Sequence, residues 1–402
     1  MERPLAKKMN QTDIIANYNK YILDTYTRTP LIFVKGKGMS LTDIHGKKYL
    51  DFFPGWGVNN VGHCHPKVMA GVRDQIGKLI HVPNNFYHLQ QAKLAKEIIR
   101  NSFAGKIFFC NSGAEGCEAA IKLAKAYGQS DHRHEIIAMN KSFHGRTIGA
   151  LSATGQNKYQ EGFSPLLDGF KHVAFNDIEA VKNALSEKTV AILLELVQGE
   201  GGIHIAEKSF IQELRKLCDQ KNILLIFDEV QTGIGRTGEI FAYKHYGVIP
   251  DAMILAKALG GGLPIGALVV GEKFCGILKP GMHASTFGGS PLICKAALGV
   301  FKAIFTDKML PNAKRMGEYL MEKLKHLQPK FDCMKEVRGL GLMIGVELTI
   351  ECKPIIEECL KHGLIINCTQ GNVLRIMPAL NVTKKQINRA LHILEKAMET
   401  TI

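Results

Sequence analysis

The sequence predicts an α/β fold in which a large domain with a mainly parallel sheet is joined to a smaller α+β domain built from both chain ends. Between residues 62 and 290, short aliphatic or β-branched runs alternate with helical segments, which is typical of parallel strands covered on both faces. Near-alternating residues around His45 and Gly46 indicate an N-terminal hairpin. We therefore predict a small domain formed by residues 1–61 and 291–402, and a large domain formed by residues 62–290.

The elements of the large domain follow one another without a long linker. Its strand-like runs are residues 106–111, 135–139, 171–175, 189–197, 223–227, 252–256 and 265–271. Its helical segments are residues 112–128, 176–185 and 208–222. Beyond it come helical segments at residues 291–305 and 312–327, strand-like runs at 337–348 and 373–377, and a last helix from Thr383. The chain has no internal repeat or low-complexity tract, which favours two closely joined domains over separate modules.

Composition excludes several classes of protein. With 402 residues and 46% hydrophobic content, the chain can bury a large core. Its formal charge of +14 comes from lysines and arginines that are spread along the chain without a compact basic run, which favours a solvated surface over nucleic-acid binding. Part of this charge could attract a cofactor phosphate and dicarboxylate substrates.

Neither membrane nor metal sites are expected. No apolar run approaches the roughly 18 residues of a membrane span, and the start MERPLAKKMNQTD lacks the apolar core of a secretory signal. The ten cysteines form no CxxC pair and have no nearby histidine pair, so we predict small buried hydrophobes. The expected location is cytoplasmic.

Lys257 and Asp228 are the most informative residues for chemistry. Lys257 follows an apolar run and precedes three consecutive glycines, and Asp228 lies at the exit of another buried run. An aldehyde cofactor needs an amine in a desolvated pocket to form a Schiff base, and a carboxylate that keeps its pyridine nitrogen protonated. The pair predicts pyridoxal phosphate chemistry. Taken singly, the lysine could be a solvated loop residue and the aspartate a helix cap.

A phosphate site is predicted where Ser112 and Gly113 open a helix after a strand. Ser112 and Glu115 have the spacing of a capping box, and the glycine lets the chain approach a ligand closely. The start of the helix offers free N–H groups and a positive dipole end to a phosphate. A plain helix N-cap would use the same residues.

Further candidates lie after other strand-like runs. The ring of Phe143 could stack on a planar cofactor, and Arg146 could hold a substrate carboxylate through two hydrogen bonds. Alternatively, they are a core aromatic and a surface cation. Glu195 and Glu200 lie at the exit of a strand-like run, where ligands gather in such sheets. Ser285 and Thr286 offer hydroxyls beside flexible glycines, and Arg375 lies late on a strand-like run.

Seven motifs in a fixed order carry a family resemblance. They are SGAE (112–115), FHGR (143–146), ELVQGEGG (195–202), DEVQTGIGRTG (228–238), the lysine before ALGGGLPIGA (258–267), HASTFGGSP (283–291) and LRIMP (374–378). In this order they resemble the class III aminotransferases of pyridoxal phosphate fold type I over nearly the entire chain. The length and the positions of Arg146, Ser285 and Thr286 are similar to the acetylornithine branch of that family.

The resemblance implies which residues hold the cofactor. It makes Lys257 the Schiff-base lysine and proton shuttle, and Asp228 the partner of the pyridine nitrogen. Gln231 would lie near the phenolic oxygen, and Val230 and Phe143 would contact opposite faces of the ring. Gly113 and Ala114 would hold the phosphate through their backbone. It also implies that Thr286 reaches the phosphate of the neighbouring subunit. A homodimer with shared active sites is therefore expected.

The resemblance also implies a reaction. Arg146, with Ser285 nearby, would hold the α-carboxylate of an acylated ornithine, and Arg375 would hold that of 2-oxoglutarate or glutamate. Glu200 would neutralise Arg375 when the amino donor has no carboxylate for it, and release it when the dicarboxylate arrives. The expected activity is transfer of the terminal amine of N-acetylornithine to 2-oxoglutarate, a step of arginine biosynthesis.

Two departures from the family pattern leave the donor open. Leu196 replaces the usual proline, and Trp56 replaces a smaller aliphatic residue. If Trp56 lines the pocket, its bulk would favour ornithine, lysine-type or γ-aminobutyrate donors; if it packs between subunits, it would not affect the donor. A same-fold aminomutase would not need a 2-oxoglutarate pocket, so the set of Arg146, Glu200 and Arg375 favours transfer. A non-catalytic basic binding protein would not need Lys257 and Asp228.

Overall fold

The computed structural model describes residues 10–402. The first nine residues, which belong to the predicted small domain and to the start MERPLAKKMNQTD, lie outside the described residues. The helices in the described range are α1 (Gln11–Tyr21), α2 (Pro66–Ile76), α3 (Leu89–Asn101), α4 (Gly113–Tyr127), α5 (Ile148–Ala153), α6 (Asn157–Gln160), α7 (Ile178–Ala184), α8 (Lys208–Lys221), α9 (Pro291–Thr306), α10 (Met309–Leu327), α11 (Lys353–Lys361) and α12 (Lys384–Thr401).

The strands form several sheets. In chain order they are β1 (Phe33–Lys37), β2 (Ser40–Asp43), β3 (Lys48–Asp51), β4 (Gly105–Cys110), β5 (Glu135–Met139), β6 (Phe170–Val173), β7 (Thr189–Glu195), β8 (Val197–Gln198), β9 (His204–Ile205), β10 (Leu224–Asp228), β11 (Ala252–Leu255), β12 (Gly266–Gly271), β13 (Met334–Leu340), β14 (Met343–Leu348), β15 (Leu364–Ile365), β16 (Asn367–Thr369) and β17 (Val373–Ile376).

The largest sheet has seven strands in the order β4-β12-β11-β10-β7-β5-β6. All of its pairings are parallel except those of β12, which runs antiparallel to β11 and to β4. Every residue of β7, β10 and β11 is buried, because these central strands have apolar layers on both faces. In β10, for example, Ile226 packs into one core cluster while Leu225 and Phe227 pack into the other. The predicted mainly parallel sheet is confirmed.

Both chain ends contribute to smaller sheets. The predicted hairpin is present: β2 and β3 pair antiparallel around Gly46, whose φ of 85° lies in the left-handed region that favours glycine. Strand β15, from the far end of the chain, adds in parallel to β3. Strands β13, β14, β17 and β16 form a separate antiparallel sheet. The exact domain boundaries after residues 61 and 290 stay predictions.

Three further expectations can be compared with the described residues. No helix within residues 10–402 combines the length and apolarity needed to cross a membrane. Across the same range, no group of three or more histidine, cysteine or acidic side chains could hold a metal ion. All ten cysteines are free thiols and seven are buried, as predicted for small apolar residues.

The sheet places the functional candidates at one edge. Glu195 and Asp228 are the last residues of β7 and β10, which are direct neighbours in the sheet. Phe143 follows β5, and Lys257 follows β11. Because the carboxyl ends of parallel strands meet at one edge, side chains that are distant in sequence converge there.

Candidate active site

A cavity of about 380 Å³ opens at this edge of the sheet, within the size range of small-molecule sites. Eight of the twelve predicted site residues line it: Gly113, Ala114, Phe143, Glu200, Asp228, Val230, Gln231 and Lys257. Arg375 lies buried directly behind Glu200. Arg146 is exposed, and Ser285 and Thr286 line a second cavity. The structure therefore brings together the residues predicted to bind the cofactor, except Thr286.

Lys257 begins a 3₁₀ turn (Lys257–Gly260) immediately after β11. Its φ of 45° lies in the left-handed region, where residues other than glycine are strained, and such strain clusters at functional sites. Burial lowers the pKa of Lys257, while the nearby carboxylates of Glu200 and Asp228 oppose this effect. A lowered pKa increases the fraction of neutral amine, which is the nucleophilic form.

Asp228 is held from two sides. Its Oδ2 lies 2.7 Å from Nδ1 of His144, and its Oδ1 accepts a hydrogen bond from the backbone N–H of Val230 at 3.0 Å. Burial alone would lower the pKa of His144, but the hydrogen bond and charge of Asp228 raise it. The imidazole is therefore suited to donate a hydrogen bond to Asp228. This role was not predicted from the sequence, although His144 is part of the FHGR motif.

Glu195 connects two loops of the site. Its carboxylate accepts hydrogen bonds from the backbone N–H of Phe143 at 3.0 Å and of Gly199 at 3.3 Å. Burial raises the pKa of Glu195, partly offset by the charge of His144. Glu195 thus holds the loop that carries Phe143 against the loop that leads to Glu200. Its place after a strand is visible in the sequence, but its contacts could not be derived from it.

The start of α4 has the geometry of a phosphate cradle. Ser112 is the N-cap, and its hydroxyl accepts a hydrogen bond from the backbone N–H of Glu115 at 3.2 Å. The predicted reciprocal half of the capping box is wrong, because the Glu115 carboxylate bonds the backbone N–H of Asn111 instead, at 2.8 Å. A Cβ at Gly113 would lie 2.9 Å from the side chain of Val230, so glycine is required there. The helix start consequently faces the cavity with free N–H groups.

The wall beside the cradle contains a buried polar atom with no partner. Oε1 of Gln231 forms no hydrogen bond with any described residue, whereas its Nε2 donates to the backbone oxygen of Trp56 at 3.3 Å. A buried unpaired amide oxygen is costly unless a bound group satisfies it. Together with the helix start, Asp228 and Lys257, this wall fits a flat ring that carries an aldehyde and a phosphate.

Arg375 forms the strongest ion pair of the site. Its side chain is 1% exposed, and its two terminal nitrogens bond the Glu200 carboxylate at 2.6 and 3.3 Å. It also donates to Asn367 and to the backbone oxygen of Gly199, and it lies 4.7 Å from the ring centroid of Phe53. Burial would raise the pKa of Glu200, but the charge of Arg375 lowers it overall. The pair is therefore ionised at neutral pH.

Arg146 is free of carboxylate partners within residues 10–402. Its guanidinium carbon lies 4.5 Å from the ring centroid of Tyr159 and 5.5 Å from that of Phe143. An exposed, unpaired guanidinium that is stacked on aromatic rings can accept a carboxylate from solution.

Ser285 and Thr286 lie apart from the first cavity, on a second one of about 810 Å³. The hydroxyl of Ser285 accepts hydrogen bonds from the backbone N–H of Gly288 at 3.0 Å and from Asn111 at 3.3 Å. Because Asn111 lines the first cavity, Ser285 is linked to that cavity through one hydrogen bond. Thr286 is exposed and makes no contact with the cradle of its own chain.

The two residues that depart from the family pattern differ in environment. Leu196 is fully buried. Trp56 is 50% exposed, has a φ of 57° between two left-handed glycines, and packs edge-on against Phe53 at 5.6 Å. Because the backbone oxygen of Trp56 accepts a hydrogen bond from Gln231, which lines the cavity, the strained turn borders the cavity.

Comparisons with known proteins agree with this geometry. The family model for class III aminotransferases matches residues 21–398. An acetylornithine aminotransferase of Methanocaldococcus jannaschii is 51% identical over 96% of this chain and 98% of its own length. Among solved structures, an ornithine aminotransferase of Toxoplasma gondii ME49 superposes with a TM-score of 0.94 at 31% identity, covering 98% of this chain and 96% of that one. An acetylornithine aminotransferase of Elizabethkingia anophelis superposes with a TM-score of 0.87 at 30% identity, covering 98% and 100%.

Proposed function

This chain belongs to the class III aminotransferases, and from that premise we propose that it transfers the terminal amine of N-acetylornithine to 2-oxoglutarate. The products would be N-acetylglutamate semialdehyde and glutamate. Run in the opposite direction, the reaction would serve arginine biosynthesis. The cytoplasmic location predicted from the sequence stays a prediction.

The cofactor is pyridoxal 5′-phosphate, as in the family, and it supplies an aldehyde and an electron-accepting ring. Gly113 and Ala114 would hold its phosphate through the start of α4, and Phe143 and Val230 would contact its ring. Asp228, with His144 behind it, would keep the ring nitrogen protonated. Lys257 would hold the aldehyde carbon until the donor amine arrives.

The protein's own proton transfers follow from this arrangement. Burial lowers the pKa of Lys257, so the fraction of neutral Nζ available as a base would be larger than for an exposed lysine once the donor has displaced it. Nζ of Lys257 would remove the proton from the donor carbon that bears the terminal nitrogen and deliver a proton to the former aldehyde carbon of the cofactor in the same half-reaction. The second half-reaction would run these two transfers in reverse.

The ion pair between Glu200 and Arg375 is the observation that carries the two-substrate proposal. A buried arginine already paired with a carboxylate at 2.6 Å is not available to a substrate that lacks a second carboxylate. A dicarboxylate such as 2-oxoglutarate can replace Glu200 on the guanidinium. The exposed Arg146 would meanwhile hold the α-carboxylate of the donor, so the donor would not need Arg375.

The choice of an acylated donor is supported by the relatives. Curated acetylornithine aminotransferases share 44–51% identity with this chain over nearly its full length. Free ornithine is the second candidate, because the ornithine aminotransferase of Toxoplasma gondii has a very similar fold and because the turn that holds Trp56 bonds Gln231 at the cavity wall. A comparison of the two donors in one assay separates these candidates.

We also propose a homodimer in which Thr286 completes the phosphate site of the partner. Thr286 is exposed beside large apolar side chains that a monomer would leave in water: Phe86, Tyr87, Leu89 and Phe287. Helix α1 has no buried residue. Its last residue, Tyr21, and Leu23 just beyond it are both more than 70% exposed. A second copy of the chain would cover such surfaces. Sedimentation of the loaded protein should therefore give twice the mass of one chain.

The test is glutamate formation from 2-oxoglutarate by the purified, cofactor-loaded protein. N-acetylornithine and ornithine are supplied at equal concentrations, and kcat/KM is compared. A clear preference for N-acetylornithine supports the proposal. A preference for ornithine selects the second candidate, and no glutamate from either donor refutes both.

A further inference from the structure

Tyr159 packs against Phe143, which lines the first cavity, and neither the motifs nor the reaction scheme uses it. It lies in the short helix α6, half-buried, with its ring centroid 4.5 Å from the guanidinium carbon of Arg146. Phe143 contacts the same guanidinium at 5.5 Å, and the two rings pack edge-to-face at 5.3 Å and 75°. Arg146 therefore lies against two perpendicular aromatic rings.

The position of Tyr159 is fixed from both ends of α6. Gln156, just before the helix, donates to the backbone oxygens of Lys141 and Ser142 at 3.1 and 3.0 Å. Gln160, at its end, donates to the backbone oxygens of Leu151 and Thr154 at 3.2 and 2.7 Å. These bonds tie α6 to the segments on either side of the FHGR motif. The tyrosine ring is thus part of the scaffold rather than a freely rotating surface group.

Helix α6 is also linked to the segment that holds Glu200, the partner of Arg375. Gln370 donates to the side chain of Gln156 at 2.9 Å and to the backbone oxygen of Glu200 at 2.5 Å. Burial, and then the charge of Glu200, raise the pKa of Tyr159, whereas Arg146 and Arg375 act in the opposite direction. The charges of both arginines and of Glu200 therefore act on the phenol, and Arg146 lies against its ring.

An arginine in this position needs such a support. Arg146 is exposed and has no ion pair within the described residues, so its long side chain would otherwise adopt many rotamers. Fixing a guanidinium before the ligand arrives removes part of the entropy cost of binding. The matching arginine, Arg375, is fixed by Glu200, Asn367 and Phe53.

We propose that Tyr159 is the positioning residue that aims Arg146 at the α-carboxylate of the amino donor, through the face of its ring. The inference rests on the proposed function, because it requires a donor that carries an α-carboxylate. Arg375 has its own supports and does not depend on Tyr159. The hydroxyl group is not required.

The test compares Tyr159→Leu, which removes the ring, with Tyr159→Phe, which keeps it. We expect Tyr159→Leu to raise the KM for N-acetylornithine about tenfold, corresponding to ~1.4 kcal/mol of cation–π interaction, with little change in kcat. Tyr159→Phe should behave like the unchanged protein. Tyr159→Met is a second ring-free variant in case the leucine variant does not fold.

A binding measurement and a double-mutant cycle separate positioning from general damage. The probe is N-acetylnorvaline, which has the donor's α-carboxylate but no terminal amine, titrated calorimetrically into the loaded protein. Its Kd should rise about tenfold in Tyr159→Leu, and the same change in an Arg146→Leu background should have no further effect.

Three results would overturn the proposal: an unchanged Kd in the ring-free variants, an equal loss in the Arg146→Leu background, or a loss in Tyr159→Phe as large as in Tyr159→Leu. Failure of the proposed function is distinguishable from all of them, because it appears in the unchanged protein as the absence of glutamate formation from N-acetylornithine.

Discussion

Replacing Glu200 with glutamine tests how one site would serve two substrates. The change keeps the shape of the side chain but removes the charge that faces Arg375, whose side chain is 1% exposed. Removing one partner of a buried ion pair typically costs ~3–5 kcal/mol. Arg375 keeps its neutral contacts with Asn367 and Gly199, which offset part of this cost.

We therefore expect the second-order rate constant of the donor half-reaction to fall about 30-fold, which corresponds to roughly 2 kcal/mol. The physical reason is that the unpaired guanidinium would bind the single carboxylate of the donor in the wrong place. The glutamate half-reaction should change by less than about threefold, or ~0.6 kcal/mol, because glutamate fills the vacated position with its own carboxylate.

The assay is single-turnover stopped-flow absorbance of the loaded protein, with N-acetylornithine and glutamate in separate experiments. The matched control is Glu336→Gln, which removes an exposed carboxylate paired with Arg338 outside the cavity and should alter neither half-reaction. Equal losses in both half-reactions for Glu200→Gln would refute the reasoning. So would a loss confined to glutamate.

The remaining predictions concern the amine, the donor and the acid stability. Lys257→Ala should abolish turnover while the protein still binds the cofactor at the cradle of α4, which absorbance after gel filtration would detect; retained turnover would contradict the assignment. Trp56→Ala should raise the kcat/KM of N-acetylornithine relative to ornithine if the indole limits the acyl group, and an unchanged ratio would place Trp56 outside the donor site. Glu347 has a pKa lowered from 4.5 to about 2 by Lys335 and Arg338, so it stabilises the fold above pH 4.5 and this contribution disappears as the pH falls towards 2. The free energy of unfolding, measured as a function of pH, should therefore be lower in Glu347→Gln than in the unchanged protein at neutral pH. The two values should converge near pH 2.

The residues that could be placed correctly from the sequence share one property. Lys257, Asp228 and Gly113 each follow or end a buried strand, and their position is set by the local change from an apolar run to a loop or a helix. Parallel strands bring such exits to the same edge of a sheet, so the convergence of these residues could be predicted before their contacts were known. Their assigned roles remain proposals.

The contacts that could not be predicted from the sequence join distant segments. His144 bonds Asp228 across 84 residues, Glu195 bonds Phe143 across 52 residues, and Gln370 bonds Gln156 across 214 residues. Such pairs have no period or spacing in the sequence, because loop paths and not local propensity decide which side chains meet. Tyr159 lies in a four-residue helix without any motif, and its contact with Arg146 is visible only in three dimensions.

By itself, the sequence predicted the α/β architecture and the pyridoxal phosphate chemistry, both of which are confirmed, because hydrophobic runs and their punctuation by glycine and charge are local properties. Lys257 as the reacting amine stays a prediction. The tertiary structure decided which groups support that chemistry. Burial lowers the pKa of Lys257 and strengthens the ion pair between Arg375 and Glu200. Both effects become large only in the low-dielectric environment that folding produces.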